Sequence, residues 1–377
     1  MKKLILVVAI IVFLGFQHKW HFILSGDLQN YYFPIAKRIW TTQTSIYPPG
    51  ANLFFMALPS FSFEIYQLFF VAINILLIFV MAKLSKKPGL LALFILGAGS
   101  ILLFRFDLLV MALLVSSLIS FQKSRLGLSG FFLGVATATK LFPVILLPYF
   151  LWCLFKKKDK IGEFWKLLGS FISTLIVVFW LFSAVAGQSF GEVLTNLTTV
   201  LKVSVHMESV MGTILTLITA VTNPGPHGVD FVNAIWALDP LYYLGHDRIF
   251  GYLGTLGIGL TYLIILWKVR DFKITTCLIL ILVLILTSRI FSPQYVIWVA
   301  LLSLLTDLKL LDKTLIFLTL VCTQIIYPLN YGELIDFFNE GKNVWLFGIL
   351  ATRNLLLVIL FVRLLINEKL VPFLSKK

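Results

Sequence analysis

Long apolar runs recur from one end of this sequence to the other, and short clusters of Lys and Arg separate them. Only 13% of the side chains are charged, whereas a soluble domain of this size carries about 25%. A helix needs about 20 apolar residues to cross a bilayer, and fewer where it is broken or surrounded by protein. The sequence therefore predicts an all-α integral membrane protein, a multi-span helical bundle forming one transmembrane domain over residues 1–377.

Twelve apolar segments are predicted to cross the membrane. They are residues 4–20, 63–82, 89–104, 107–121, 127–139, 141–155, 164–186, 249–267, 274–289, 294–306, 314–329 and 344–366. The first is interpreted as an uncleaved helix, because no small-x-small cleavage site follows it.

The basic clusters orient these segments. If the N-terminus is cytoplasmic, every cluster from Lys83 to the C-terminal Lys377 falls on the cytoplasmic side, as the positive-inside rule requires. This predicts a multi-pass protein of the plasma (cell inner) membrane with both termini cytoplasmic and two long outer loops, 18–62 and 187–248. The apolar stretch 208–222 is then a re-entrant or interfacial helix, because a full crossing there would invert every later loop.

Several functions are disfavoured by composition. The net charge of +14 comes from the clusters that orient the helices, so nucleic acid is not an expected partner. Cys153, Cys277 and Cys322 all fall inside apolar segments and form neither a disulfide framework nor a metal set. No Asp-x-Asp pair is present, which argues against a required divalent cation. No cofactor is expected.

Polar residues outside the basic clusters gather on the predicted outer side. They are Asp27, Tyr31, Tyr32 and Tyr47 in the first outer loop, then Arg105, Asp107, Lys140, His206, Glu208, Arg289, Ser292, Gln294 and Tyr295. Ionisable groups at membrane depth are costly and usually mark a site. Cations there suit a lipid-linked phosphate, and a carboxylate suits a general base. Together they indicate transfer of a sugar from a lipid phosphate.

Each of these residues also has a simpler interpretation. Asp27 could cap a helix, could be the base, or both. The rings of Trp20, Tyr31, Tyr32 and Trp40 could form an interfacial belt or stack on a sugar or an isoprenoid tail.

The charges have their own alternatives. Arg105 and Asp107 could be a structural pair or could bind phosphate, whereas Lys140 and Arg289 are interpreted as isolated cations. His206 and Glu208 could be solvated loop residues. A Pro48-Pro49 turn suits the end of one helix and the start of another.

Five short sequence motifs follow one another along the chain. An Asp follows the first helix, and a Tyr-Pro-Pro turn, an Arg-x-Asp, a Lys-x-x-Pro and a Ser-Pro-Gln-Tyr come after it. This order resembles the polyprenol-phosphate-mannose-dependent mannosyltransferases of glycosyltransferase family 87, within the GT-C superfamily.

The resemblance implies a multi-span helical fold, amphipathic helices in the first outer loop and an inverting reaction without a nucleotide. It maps the catalytic acid onto Asp27. The other elements map onto Tyr47 to Pro49, Arg105 and Asp107, Lys140, and Ser292 to Tyr295.

The predicted function is a membrane glycosyltransferase. It moves a hexose, with mannose expected, from a polyprenyl-phosphate sugar to a glycolipid or glycan acceptor at the outer face. Asp27 is the predicted base, and the predicted substrate-binding residues are Tyr32, Tyr47, Arg105, Asp107, Lys140, His206, Arg289, Gln294 and Tyr295. A flippase or transporter for a lipid-linked saccharide is the main alternative, and a protein that only docks an assembly partner is a third.

Overall fold

The computed structural model describes residues 7, 11, 26–39, 47–99, 101–156, 161–189, 191–193, 195, 205–222, 228–232, 235–238, 247–269 and 271–370. Helices dominate this part of the chain. A π-helical turn, Leu28–Tyr32, leads into α1 (Phe33–Ala36), which is followed by α2 (Pro49–Met56), α3 (Phe63–Ser85), α4 (Pro88–Ala98), α5 (Ile101–Phe104), α6 (Asp107–Gln122), α7 (Leu126–Thr139), α8 (Leu147–Phe155), α9 (Ile161–Ala186), α10 (Val210–Thr222), α11 (Asp247–Lys268), α12 (Ile274–Thr287), α13 (Tyr295–Ser303), α14 (Leu310–Gln324), α15 (Tyr331–Glu340) and α16 (Val344–Asn367).

The predicted membrane segments coincide with these helices from the second segment onward, whereas 4–20 lies outside the described residues apart from Val7 and Ile11. Among the described residues, four helical stretches are long and apolar enough to cross a bilayer: α3, α9, Leu310–Leu329 and α16. The protein is therefore a helical, multi-pass membrane protein. Twelve crossings and cytoplasmic termini remain predictions.

Some segments are interrupted. Segment 89–104 is divided between α4 and α5, with Gly99 in the left-handed region at φ +58°. Segment 141–155 starts as a 3-10 helix, Phe142–Leu146, and continues as α8; Pro143 lies in the first turn, where its missing N–H interrupts no helical hydrogen bond.

Two elements of the predicted outer loops were not anticipated. Strands β1 (Val229–Val232) and β2 (Ile235–Leu238) form a short antiparallel hairpin within a fold that is otherwise helical, in agreement with the predicted all-α class. Helix α15 is an amphipathic helix between the last two long helices. The apolar stretch 208–222 contains helix α10, and its interfacial or re-entrant placement remains a prediction.

The chain divides into two compact units. The first comprises Met1–Leu91, Ser100–Lys202 and Val269–Ile274, and the second comprises Ala92–Gly99, Val203–Lys268 and Thr275–Lys377. Folding of 1–377 as a single domain remains a prediction.

Helices α6, α7 and α9 pack closely in the first unit. The hydroxyls of Ser117 and Ser129 each donate to the other residue's carbonyl, at 2.9 and 3.0 Å, which joins α6 to α7. Gly130 of α7 leaves no room for a side chain, since a Cβ there would lie 2.3 Å from the carbonyl oxygen of Leu167 in α9. Small residues thus allow these backbones to approach closely, as in other membrane helices.

Segments predicted on the same side of the membrane meet within each unit. At the predicted cytoplasmic ends of the first unit, the backbone N–H of Lys273 donates to the hydroxyl of Tyr149 at 2.8 Å. At the predicted outer ends of the second unit, the N–H of Val229 donates to Oδ1 of Asn339 at 2.8 Å. The predicted alternation of segments remains a prediction.

Candidate active site

Asp27 lies directly before the π-helical turn and contacts Arg105. The backbone of Asp27 is helical, at φ −68° and ψ −36°, and its side chain makes no capping hydrogen bond. Instead its Oδ2 forms an ion pair with Nη1 of Arg105, and the two side chains are 22% and 11% exposed. The capping interpretation of Asp27 is therefore wrong, and its carboxylate remains partly open to solvent beside a cation.

A second ion pair joins α6 to the end of α7. Asp107 is the first residue of α6, and its Oδ1 accepts a hydrogen bond from Nζ of Lys140 at 2.6 Å. The Asp107 side chain is 1% exposed and that of Lys140 is 16% exposed. Lys140 also lies over the ring of Phe106, 5.0 Å from its centroid, which favours a cation. The prediction that Lys140 is an isolated cation is wrong.

Aromatic rings fill the space beside these pairs. Tyr32 stacks on Phe55 with 4.2 Å between ring centroids, and Tyr47 meets Phe106 edge-on at 5.9 Å. Tyr32 is only 1% exposed and Tyr31 is 8% exposed. An interfacial belt is therefore the wrong interpretation for these two tyrosines, while Trp20 and Trp40 lie outside the described residues.

The Tyr-Pro-Pro-Gly turn brings Tyr47 to this cluster. Pro48 and Pro49 begin α2, as expected of residues with a fixed φ at a helix start. Gly50 allows α2 to touch the end of α7, because a Cβ there would lie 2.8 Å from the backbone of Ala138 and Thr139. The turn therefore lies against the residues that directly precede Lys140.

Tyr47 is suited to donate a hydrogen bond rather than to take up a proton. Burial raises the pKa of its phenol well above the usual range. The phenol therefore keeps its proton at neutral pH, so that the partly exposed acid of this cluster is the carboxylate of Asp27.

The other predicted residues gather in the second unit. The backbone N–H of His206 donates to the carbonyl oxygen of Arg289 at 2.9 Å, joining the segment before α10 to the segment before α13. Tyr295 begins α13 and stacks on Trp298 at 4.1 Å. Gln294 precedes it, and its Oε1 is buried without a hydrogen-bond partner among the described residues.

His206 and Glu208 are buried, so their interpretation as solvated loop residues is wrong. They are 3% and 0% exposed. Burial, and to a lesser extent the charge of Arg353, lowers the pKa of the imidazole, although Glu208 opposes this. In the described part of the chain, Nδ1 of His206 and Oε1 of Glu208 have no hydrogen-bond partner. Buried acceptors of this kind are uncommon and call for an explanation.

Sequence reasoning missed Arg353, which is fully buried in α16. Its Nη1 lies 2.6 Å from Oε2 of Glu208. The available signal was an Arg near the middle of the predicted span 344–366, at a depth where an ionisable residue usually has a function.

The structure thus brings the predicted residues together in two sets. The first unit holds Asp27, Tyr32, Tyr47, Arg105, Asp107 and Lys140, and the second holds His206, Arg289, Gln294 and Tyr295. Within the described ranges, no three His, Cys, Asp or Glu residues are grouped as metal ligands would be. Independence from metal remains a prediction.

The structure combines apolar helices of membrane-crossing length with buried ion pairs between helices. These features define a polytopic helical membrane protein that holds polar side chains in its interior. The sequence model of glycosyltransferase family 87 matches residues 46–306, which is more than half of the chain, and the protein belongs to this family. It is therefore a membrane glycosyltransferase. The match includes the Tyr-Pro-Pro turn, both residues of the Lys140 pair, and Arg289, but not Asp27 or Arg353. None of the curated proteins and none of the solved structures compared with the chain matches it.

Proposed function

We propose that this glycosyltransferase moves a hexose, with mannose as the expected sugar, from a polyprenyl-phosphate carrier to a hydroxyl of a glycolipid or glycan at the outer face of the plasma membrane. The observation that carries the proposal is the contact between Asp27 and Arg105, beside the Lys140–Asp107 pair in the same unit. One partly exposed acid and two cations are the groups that transfer from a lipid phosphate requires.

In this reaction the acceptor oxygen attacks the anomeric carbon on the face opposite the phosphate. The bond between the anomeric carbon and the phosphate oxygen breaks with inversion, and the polyprenyl phosphate leaves. The carboxylate of Asp27 takes the proton of the acceptor hydroxyl. A positioned general base of this kind accelerates a reaction by about 10²- to 10⁴-fold.

The cations receive the phosphate. A guanidinium has five N–H donors, so Arg105 can bind Asp27 and a phosphate oxygen together. Lys140, already held by Asp107, supplies a second positive charge in surroundings where burial strengthens electrostatic attraction. Arg289 was also predicted to bind phosphate, and that role remains a prediction made from the sequence. Such preorganised charge lowers the barrier because it is in place before the leaving group becomes more negative.

The remaining residues are assigned to the sugars. His206 has an unpartnered Nδ1 in a neutral imidazole, so it can accept a hydrogen bond from a hydroxyl. Gln294 offers its unpartnered Oε1 in the same way. Tyr47 can donate from its protonated phenol, and Tyr295 is proposed to border the substrate. Tyr32 is buried against Phe55, so its contribution is to hold Tyr47 and Phe106.

The experiment is a transfer assay with the purified protein in lipid nanodiscs. Polyprenyl-phosphate mannose and polyprenyl-phosphate glucose are each supplied with a total lipid extract, and products are detected by mass spectrometry. We expect a product one hexose heavier than an acceptor lipid, and a loss of about 10²- to 10⁴-fold in rate for Asp27→Asn with donor binding retained. Glu64→Gln is the matched control, because Glu64 is the next acid along the chain and is exposed.

Two results would contradict the proposal. Full transfer by Asp27→Asn would remove the base assignment. Movement of the lipid-linked sugar across vesicle membranes, without consumption of the donor, would replace the transferase reaction by that of a flippase.

A further inference from the structure

Arg353 is a fully buried cation in the middle of an apolar helix. It is the tenth residue of α16 and is 0% exposed, as is its partner Glu208. A buried ion pair is often no more stable than apolar residues of similar volume, and a charge at membrane depth is costly. A gain in stability therefore does not explain why an Arg occupies position 353. The contacts that its guanidinium makes provide the explanation.

One edge of the guanidinium holds the segment before α10. Nη1 lies 2.6 Å from Oε2 of Glu208, and Nη2 donates to the backbone carbonyl of Glu208 at 2.5 Å. The neighbouring Asn354 donates to the carbonyl of Ser209 at 3.3 Å and to the hydroxyl of Thr213 at 2.7 Å. Two successive residues of α16 thus fix the chain at residues 208–213.

The face of the same guanidinium covers the segment before α13. Its carbon Cζ lies 4.3 Å from the centroid of the Phe291 ring, and that ring stacks on Tyr295 at 5.9 Å. The backbone bond from His206 to Arg289 closes the arrangement. Arg353 therefore touches both of the segments that carry His206, Arg289, Gln294 and Tyr295.

We propose that Arg353 is a positioning residue that holds these two segments in register for substrate binding. It acts through the Glu208 carboxylate and the Phe291 ring and does not touch the substrate. This inference rests on the proposed function insofar as His206, Arg289, Gln294 and Tyr295 bind the substrate.

Arg is the residue type that this geometry requires. A planar guanidinium can donate two parallel hydrogen bonds along one edge while its face stacks on an aromatic ring. The ammonium group of Lys is a compact point charge and has neither a pair of parallel donors nor a planar surface for stacking. Arg353→Lys keeps the charge and should nevertheless fail to hold both segments. The matched control is Arg363→Lys, because Arg363 lies on the same helix and also binds a carboxylate, with its Nε 2.7 Å from Oδ1 of Asp312.

The test combines hydrogen exchange with kinetics. We expect faster amide exchange in peptides covering 205–213 and 289–295 of Arg353→Lys, with no change in 107–139, and wild-type exchange in these segments for Arg363→Lys. A displacement of about 1 Å can cost up to roughly 100-fold in rate, so we expect kcat/KM to fall about 10- to 100-fold in Arg353→Lys only.

A double variant covers the case in which Arg353→Lys does not fold. Arg353→Met with Glu208→Met removes both charges, so no unpaired ion is left in the interior. Faster exchange of 289–295 in this variant would support the positioning role. Wild-type exchange there would overturn it, whatever the activity. Conversely, if the wild type transfers no sugar but the exchange pattern follows the expectation, the proposed function fails and the positioning of these segments stands.

Discussion

Nζ of Lys140 lies 2.6 Å from Oδ1 of Asp107, and this contact joins residues that are 33 positions apart in the chain. The pair connects the start of α6 with the residue that follows α7, at the ends predicted to lie on the outer side. The Asp107 side chain is almost completely enclosed, and Lys140 places a positive charge against it. The pair therefore has two consequences, one for stability and one for the chemistry.

Removal of one partner of this pair should destabilise the protein strongly. Lys140→Met removes the ammonium group that donates to the buried Asp107 carboxylate, and loss of one partner of a buried pair costs about 3–5 kcal/mol in other proteins. Asp107→Asn with Lys140→Met removes both charges, so most of the loss in the free energy of unfolding should be recovered. Transfer should stay low in the double variant, because the phosphate has lost a cation. Thermal unfolding in detergent and the transfer assay measure the two effects, and wild-type transfer by the double variant would contradict the phosphate-binding role.

Close packing of α7 on α9 predicts a contrast between two glycines of one helix. Gly130→Ala would place a methyl group 2.3 Å from the carbonyl oxygen of Leu167, so the helices must move apart. Overpacking of this kind costs about 1–3 kcal/mol. Gly127→Ala meets no atom within 4 Å and should be neutral or slightly stabilising. Equal melting temperatures for the two variants would show that the close contact is not as described.

The helices could be predicted from the sequence because the length of an apolar run determines where a membrane helix can exist. Segment 127–139 corresponds to α7, Leu126–Thr139, for this reason. The partners of charged residues could not be predicted, because the sequence around Lys140 does not indicate which distant residue lies beside it in the fold. Sequence order suggested the neighbouring Arg105 and Asp107 as a pair, yet each binds a residue from another segment.

Two further features escaped prediction for different reasons. The hairpin strands are four residues each, too short for alternation to stand out from a loop. Arg353 is one of two Arg in the 24 residues of α16, and a lone charge far from the helix ends hardly changes the mean hydropathy of the segment. Its importance comes from Glu208, which is 145 positions away in the chain.

The buried imidazole of His206 predicts a dependence of stability on pH. Burial lowers the pKa of His206 in the folded protein below its ordinary value of 6.5. Below that pH the unfolded chain binds a proton that the folded protein resists, so His206 makes the free energy of unfolding fall as the pH decreases. The limit is about 1.4 kcal/mol per pH unit for one proton.

Comparison with His206→Gln isolates this effect from the other histidines. We expect the wild type to lose more stability than the variant between about pH 7 and pH 5.5, measured by thermal unfolding in detergent. Parallel pH profiles for the two proteins would mean that His206 titrates normally and is not enclosed by Glu208, Arg353 and the backbone of Phe291.

The predicted orientation can be tested at two exposed lysines, one in each kind of loop. Lys123 follows α6 on the predicted cytoplasmic side, whereas Lys342 follows α15 on the predicted outer side and is 70% exposed. Each is replaced by Cys in a background where Cys153, Cys277 and Cys322 are Ala. A membrane-impermeant maleimide applied to intact spheroplasts should label Lys342→Cys and should label Lys123→Cys only after permeabilisation. The reverse pattern would invert the whole alternation and place Asp27, Arg105 and Lys140 on the cytoplasmic side, where the proposed acceptor is not found. Because one assignment places every basic cluster from Lys83 to Lys377 on the cytoplasmic side, we expect the first pattern.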